Sequence, residues 1–361
     1  MLSLGLGIIA LSPRVCAQAN DTWIGSTSDW GTGSNWSTGL VPRTTQTAVF
    51  NGGGQSVITG VASDVATRFD AGNYTLADTD LNLAPDTYWT VASGASLTVS
   101  SAINTNPAED EGPGGTLHLD GAGTINLNGA ITGPGSFQIS DGVVSLNGNS
   151  SYGGQSSVTG GTLLVNGFVT ADQYIGVNNA TLGGTGTLDV YTSIYSGRLA
   201  PGLIGSTGVL SATSVLYVGS GVAVDFRING LTRGSEYDGV DMLGDGYMVF
   251  GGGKVSLDFG RLFNDGGSFD LVSGTVYIPD NTFFESVEGT GSYSGEFTND
   301  NGRWSLTSNG QTLILDQSTL LLTISALAAV PEPSTSAALA GALAMGAVMV
   351  RRRKTAPAPA A

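Results

Sequence analysis

The chain has very few of the residues on which most catalytic and metal-binding sites depend. Its 361 residues include one cysteine, Cys16, and one histidine, His118. Cys16 lies in an apolar N-terminal segment, so removal of that segment would leave no thiol for a disulfide, a nucleophile or a zinc site. Metal sites need several His, Cys or clustered carboxylates. The composition therefore predicts no cofactor and no metal site built from His or Cys.

Basic residues are also scarce. Lys and Arg number 13 against 29 Asp and Glu, which gives a formal net charge of −16, and charged residues make up only 12% of the chain. A nucleic-acid partner is excluded, because phosphate binding needs clustered positive charge. The acidic balance favours solubility and mutual repulsion outside the cell.

Glycine, in contrast, is abundant. It accounts for 56 residues, about twice the usual share, but no strict Gly-X-Y period appears and collagen is excluded. Short runs of Val, Ile, Leu and Thr are separated by Gly, Asn and Asp, a pattern typical of all-β proteins. Hydrophobic residues reach 40%, which argues against a disordered chain.

The stretch 135–167 shows how the body of the chain is organised. Short alternating runs, as in Val144-Ser145-Leu146, are separated by corners such as Asp141-Gly142 and Asn147-Gly148-Asn149, whose residues are expected to supply the positive φ that tight turns require. Strands this short favour a coil that stacks on the next coil, a parallel β-solenoid, with Leu, Ile and Val inward and corner Asn side chains in ladders. At roughly 20 to 25 residues per coil, residues 112–326 would form on the order of nine coils. At the usual rung spacing the rod would be about 40 Å long.

This stretch also resembles the autotransporter-associated β-strand repeat. The residues that carry the resemblance are Leu146, Gly148, Tyr152, Gly154, Gly161, Leu163 and Val165. Further stretches similar to this group lie at 182–188, 197–202 and 234–238. The resemblance covers 112–326 and implies a parallel β-helix passenger on an exported protein, without enzymatic activity.

The preceding region, 20–111, is predicted to be a β-rich cap that contains three closely spaced tryptophans, Trp23, Trp30 and Trp36. The open end of a solenoid has to be sealed, and large aromatic side chains do this well. Aromatic rings also stack on sugars, so a carbohydrate-binding platform is the alternative interpretation.

The N-terminal segment, 1–19, is predicted to be a signal peptide that engages the Sec translocon. Its apolar run, 2–11, is too short to span a bilayer, and it is followed by Ala17-Gln18-Ala19, an A-x-A cleavage pattern. No Lys or Arg precedes the apolar run, which favours a start upstream of Met1.

The C-terminal segment has the features of a membrane stop-transfer signal. Residues 334–350 carry no charge, and as a helix they would be about 25 Å long, enough for a short membrane span. Arg351, Arg352, Arg353 and Lys354 follow directly. Positive charge beside an apolar helix stays on the cytoplasmic side. The segment therefore predicts a single transmembrane helix that holds the chain in the inner membrane with its bulk outside.

Residues 330–354 resemble the PEP-CTERM sorting signal of exported proteins in Gram-negative bacteria that make exopolysaccharide. Pro331, Glu332 and Pro333 precede the apolar segment and the basic cluster, and this order of three elements carries the resemblance. It implies recognition of these three residues by the membrane protease-like transpeptidase exosortase, followed by release to the cell surface or extracellular matrix, with exopolysaccharide as a further partner.

Two polar features of the sequence are candidates for chemical sites. His118 alternates with Leu117 and Leu119 and is expected to face solvent or a side-chain ladder. Asp238, Asp241 and Asp245 lie close together, where a calcium site and a solvated loop are both open interpretations. The sequence thus predicts an all-β parallel solenoid with an aromatic N-terminal cap and a C-terminal transmembrane helix. Its function is that of a non-enzymatic structural or adhesive surface protein. The alternative is a β-helix protein that binds or degrades polysaccharide.

Overall fold

The computed structural model describes residues 19–62, 64–78, 80–83, 86–106, 114–280 and 282–328. In this part of the chain regular structure is almost entirely β-strand, with one 3₁₀ turn at Gly33–Asn35. Parallel pairing stacks each coil on the previous one. The result is a solenoid whose three faces, called face 1, face 2 and face 3, enclose a single apolar core. The predicted all-β fold with long parallel sheets is confirmed.

Each face is a stack of parallel strands. Face 1 contains Ala19–Thr22, Gln46–Asn51, Ala66–Ala71, Asp86–Val91, Thr116–Asp120, Ser136–Ile139, Ser156–Val158, Ile175–Val177, Tyr247–Phe250 and Thr275–Tyr277. Face 2 contains Val57–Ile58, Asn73–Leu76, Ser96–Val99, Thr124–Leu127, Val143–Leu146, Thr162–Val165, Ala180–Gly184, Lys254–Phe259 and Ser286–Gly291. Face 3 contains Asp80–Asn82, Ala102–Asn104, Ile131–Gly133, Ser150–Tyr152, Phe168–Ala171, Thr187–Asp189, Val209–Ala212, Gly239–Met242 and Val272–Ser273.

Two long strands join faces 1 and 2 into one sheet. Thr192–Pro201 and Leu216–Ile228 each run through a face 1 rung and continue into the following face 2 rung. Coil length varies along the stack. Of the residues that pair between neighbouring coils, Ile175 and Thr192 are close in sequence, whereas Leu216 and Met248 are far apart. The longer coils accommodate loops outside the stack.

The core consists of continuous columns of apolar side chains, one residue per rung. The central column of face 2 is formed by Tyr74, Leu97, Ile125, Val144, Leu163, Leu182, Leu199, Val224, Val255 and Val287. All ten are buried. Burial of apolar area in this way is the main favourable contribution to folding. The predicted stacking of each inward residue on its counterpart one coil away is confirmed.

The corners show two further expected features. The Asn147 side chain donates a hydrogen bond to Asn128 (2.8 Å) and accepts one from Asn166 (2.9 Å), an amide ladder across three coils. Gly142 has a φ of +76°, a conformation that glycine adopts without strain. Gly148 differs from the expectation, because its φ is not positive. A Cβ there would lie 2.4 Å from the Gly129 carbonyl oxygen, so close stacking of coils is what requires glycine at this corner.

The parallel ladder extends beyond the predicted boundary at residue 112. Trp89 pairs with Leu119 and Leu97 with Ile125, so the region 20–111 is built from the same coils as the region after it. At the N-terminal end, Trp36 forms an antiparallel bridge with Trp23, and the Ser37 amide donates to the Thr22 carbonyl. This pairing covers the open edge of the first rung, as an edge strand requires.

The C-terminal end is closed by an antiparallel sheet that the sequence interpretation did not foresee. Its strands, in spatial order, are Gly267–Asp270, Leu321–Ile324, Gln311–Asp316, Arg303–Ser308 and Thr298–Asp300. The short strand Gly295–Glu296 pairs antiparallel with the last face 2 rung. The predicted repeat solenoid of 112–326 therefore ends near Gly291, because the chain reverses there and begins to form hairpins.

Candidate functional site

The three tryptophans lie in the core of the N-terminal end. Trp23, Trp30 and Trp36 are each at most 1% exposed, and the ring of Trp36 meets Trp23 at 5.0 Å and Trp30 at 4.7 Å, edge to face. Trp36 also donates its indole N–H to the Trp30 carbonyl. A sugar platform needs an exposed ring face, so that interpretation of these residues is corrected. The rings fill the end of the solenoid, which is the position that the cap interpretation predicts.

His118 lies on the outward side of face 1, between Tyr88 and Gln138 in register. Its imidazole stacks on the Tyr88 ring at 4.2 Å with an interplanar angle of 4°. The Nε2 atom lies 3.6 Å from a carboxylate oxygen of Asp86. As expected, His118 belongs to a side-chain ladder. Its contacts are the Tyr88 ring and the Asp86 carboxylate on the surface of face 1.

The acidic cluster is divided among separate partners. Asp238 is 1% exposed and pairs with Arg227 at 2.9 Å. Asp241 pairs with Arg233, and Asp245 is exposed. A calcium ion would compete with a guanidinium at two of these three carboxylates. In the described ranges no group of three or more His, Cys, Asp or Glu side chains is placed to hold a metal ion. The solvated-loop interpretation fits Asp245 alone, because Asp238 is buried and Asp241 lies in the strand Gly239–Met242.

A groove of about 540 Å³ lies on the outward side of face 2. Arg198, Asp225 and Asp258 line its floor, and the loop 202–205 forms one wall. Asp225 forms an ion pair with Arg198, and Asp258 accepts a hydrogen bond from the Thr290 hydroxyl at 3.2 Å. Grooves that combine charged and apolar groups are common ligand sites, which makes this groove the candidate site that was missed from the sequence.

Arg227 fixes the wall of the groove. Its guanidinium donates hydrogen bonds to the carbonyl oxygens of Pro201 and Leu203, both at 2.9 Å. Its Nε and its backbone N–H both donate to Asp238, which also accepts from the Gly208 amide. Burial raises the pKa of the Asp238 carboxyl, although the hydrogen bonds from Arg227 and Gly208 act in the opposite direction.

The chemistry available in the groove is limited. A glycosidase needs one carboxyl as acid and a second as base or nucleophile on either side of the scissile bond. Asp225 forms an ion pair with Arg198 and Asp238 is buried, which leaves Asp258 as the floor carboxylate to which the described residues supply no counter-ion. The sequence did show 197–202 and 234–238 as repeat-like stretches. It held no signal that Arg227 joins them.

The sorting residues lie outside the described part of the chain. These are Ala17 of the cleavage pattern, Pro331, Glu332 and Pro333, the apolar segment 334–350, and Arg351, Arg352, Arg353 and Lys354. Ala19 is the first described residue and pairs with Gln46. Among the described residues no helix is long and apolar enough to cross a membrane.

Comparison with known proteins identifies one part of the chain. No curated protein and no solved structure matches it, and the likeness of 112–326 to the autotransporter-associated repeat stays a prediction. The model of the PEP-CTERM protein-sorting motif matches residues 329–354, which confirms the resemblance noted there. The chain therefore carries a PEP-CTERM sorting motif, which indicates exosortase-dependent sorting of an extracellular protein towards the cell surface or the extracellular space.

Proposed function

We propose that this protein is a non-enzymatic structural or adhesive component of the cell surface or matrix. The observation that carries the proposal is the attachment of a sorting motif to a body built as an uninterrupted apolar stack. Such a stack satisfies its own backbone from coil to coil and presents long outer faces to its surroundings. The predicted resemblance of 112–326 to the autotransporter-associated repeat implies a passenger without enzymatic activity, which agrees with this role.

The proposal includes the route of export. A signal peptide at 1–19 delivers the chain to the Sec translocon, and the segment 334–350 holds it briefly in the inner membrane with the basic cluster inside. Exosortase then acts at Pro331-Glu332-Pro333 and releases or transfers the body. Proline disfavours helices and strand ladders, so we expect an enzyme cleft to reach this sequence.

A polysaccharide-degrading enzyme is the competing function, and the groove on face 2 is where it would act. We expect the purified protein to generate no new reducing or unsaturated ends from a panel of neutral and acidic polysaccharides, because Asp225 is engaged by Arg198. Reducing-end assays and ultraviolet absorbance measure this. Turnover that is lost in an Asp258→Asn variant would show that the protein is an enzyme and would reject the proposed function.

The basic cluster provides a test of the export route. Replacement of Arg351, Arg352, Arg353 and Lys354 with glutamine is expected to impair membrane retention and processing, because nothing then fixes the tail on the cytoplasmic side. Cell fractionation and the mass of the mature protein report the two effects. Arg303→Gln, which removes one exposed positive charge from the body, is the control and should behave as wild type. Unchanged fractionation and mass in the tail variant would contradict the prediction.

A further inference from the structure

The outward surface of face 1 carries a strip of tyrosines. Five successive rungs near its C-terminal end present six of them, called the tyrosine strip: Tyr174, Tyr191, Tyr195, Tyr217, Tyr247 and Tyr277. The four most exposed show between 39% and 56% of their surface. At the usual spacing between rungs the strip is about 20 Å long and runs along the solenoid axis.

Pairing register brings these residues together although they are far apart in sequence. One outward column runs from Ser193 to Tyr217, then to Val249 and Tyr277. Beside it, the rings of Tyr195 and Tyr217 lie 6.4 Å apart, and those of Tyr174 and Tyr191 also lie 6.4 Å apart. Neither pair is face-to-face, and Tyr191 and Tyr195 remain 42% and 50% exposed.

The fold itself does not require tyrosine at these positions. In the same outward column, earlier coils carry Gln138, Ser157 and Gly176, and those coils stack with the same parallel register. Exposed aromatic side chains that are collected in one patch typically mark an interaction surface, whereas singly scattered ones do not. Tyrosine also provides a rigid contact area with an apolar ring and a polar hydroxyl, at low entropic cost.

Charge indicates the chemistry of the partner. The five rungs, 174–177, 191–195, 215–218, 247–250 and 275–277, contain no Asp, Glu, Lys or Arg, whereas the whole chain has a net charge of −16. An anionic polymer would be repelled by the rest of the protein, and a basic peptide would find no carboxylate on the strip. A second copy of this acidic chain would be repelled in the same way.

We propose that the tyrosine strip binds a neutral polysaccharide chain laid along the solenoid axis. This inference rests on the proposed adhesive function and names its ligand class and site. The apolar ring faces contact the C–H groups of sugar rings, and the phenol hydroxyls bond to sugar hydroxyls. A narrow linear strip suits a linear polymer better than a protein partner. A stable protein interface needs a broader patch, about 800 Å² on each partner with an apolar centre.

The test uses affinity electrophoresis in native gels that contain hydroxyethylcellulose, dextran or amylopectin, with alginate and DNA as anionic polymers. We expect at least one neutral polymer to retard the purified protein, and Tyr195→Ser/Tyr217→Ser to lower the affinity at least tenfold. Tyr88→Ser is the matched control. It removes an exposed tyrosine from the same face, beside the charged residues Asp86 and Asp120, and should leave the affinity within twofold of wild type.

Several results would overturn the inference. These are no retardation by any of the three neutral polymers, equal retardation of the double variant and wild type, and retardation by the anionic polymers alone. Self-association that the double variant abolishes would assign the strip to contacts between copies instead. The proposed function is judged separately. A protein that reaches the cell surface without binding these polymers fails only this inference, whereas one that cleaves them fails the proposed function.

Discussion

Replacement of Leu163 by alanine is expected to lower the free energy of unfolding by about 2–5 kcal/mol, the range found for buried leucines. Leu163 is fully buried in the central column of face 2, between Val144 and Leu182. Hydrogen-bonded rungs about 4.8 Å apart hold the backbone on both sides, so the cavity cannot collapse. The loss should therefore fall in the upper part of the range. Urea denaturation followed by circular dichroism measures it.

The control for this prediction is Ile204→Ala, which removes a similar side chain from the loop beside the groove. Ile204 is 69% exposed, and its truncation should change stability by no more than about 0.5 kcal/mol. If the two variants lost equal stability, the column would not be the source of the stability. In a solenoid each coil contacts only its neighbours. The Leu163 variant therefore also shows whether weakening one coil still leaves a single unfolding transition for the whole stack.

The coil architecture could be predicted from the sequence because its signals are local. The alternation around Leu163 sets the inward side, Gly142 marks a corner, and the side chains of Asn128, Asn147 and Asn166 recur at one corner of successive coils. None of these signals specifies how many faces a coil has, since the direction of each corner depends on packing against the neighbouring coils.

The C-terminal closure could not be predicted for a similar reason. Gln311–Asp316 alternates inward and outward residues just as Thr124–Leu127 does, so a strand in an antiparallel hairpin and a strand in a coil look alike. The partner decides between them, and pairing is a long-range property. The burial of the tryptophans follows from the need to seal the end of the solenoid, whereas the pairing of Ser37 with Thr22 beside them carries no local signal.

The groove and the tyrosine strip were hidden by sequence distance. Tyr195 and Tyr217 become neighbours along face 1 only because coils of unequal length bring their rungs side by side. Asp238 likewise lies in the repeat-like stretch 234–238, and nothing in the sequence marks Arg227 as its partner. Sites on a solenoid are assembled from equivalent positions of several coils, and an irregular repeat conceals which positions are equivalent.

Arg227→Met is expected to cost about 3–5 kcal/mol at neutral pH, because it leaves a buried carboxylate without its counter-ion. Asp238 would keep only the backbone N–H donors of Gly208 and of residue 227. The loop at Pro201 and Leu203 would also lose its two hydrogen bonds to the guanidinium. Arg198→Met is the matched control, since the Arg198 side chain is 54% exposed and its surface ion pair is worth at most about 1 kcal/mol.

The pH dependence of this loss distinguishes the charge effect from a simple packing defect. Burial already raises the pKa of Asp238 above its unfolded value, and removal of the guanidinium raises the pKa further. A carboxyl with a raised folded pKa contributes stability that is fully present below its unfolded pKa, about 3.9, and is lost as pH rises through the folded pKa. The stability deficit of Arg227→Met relative to wild type should therefore be smallest near about pH 4 and grow towards neutral pH. Urea denaturation of both proteins across this range measures it, and a deficit that stays constant with pH would show that lost packing, rather than an unpaired Asp238 carboxylate, is the cause.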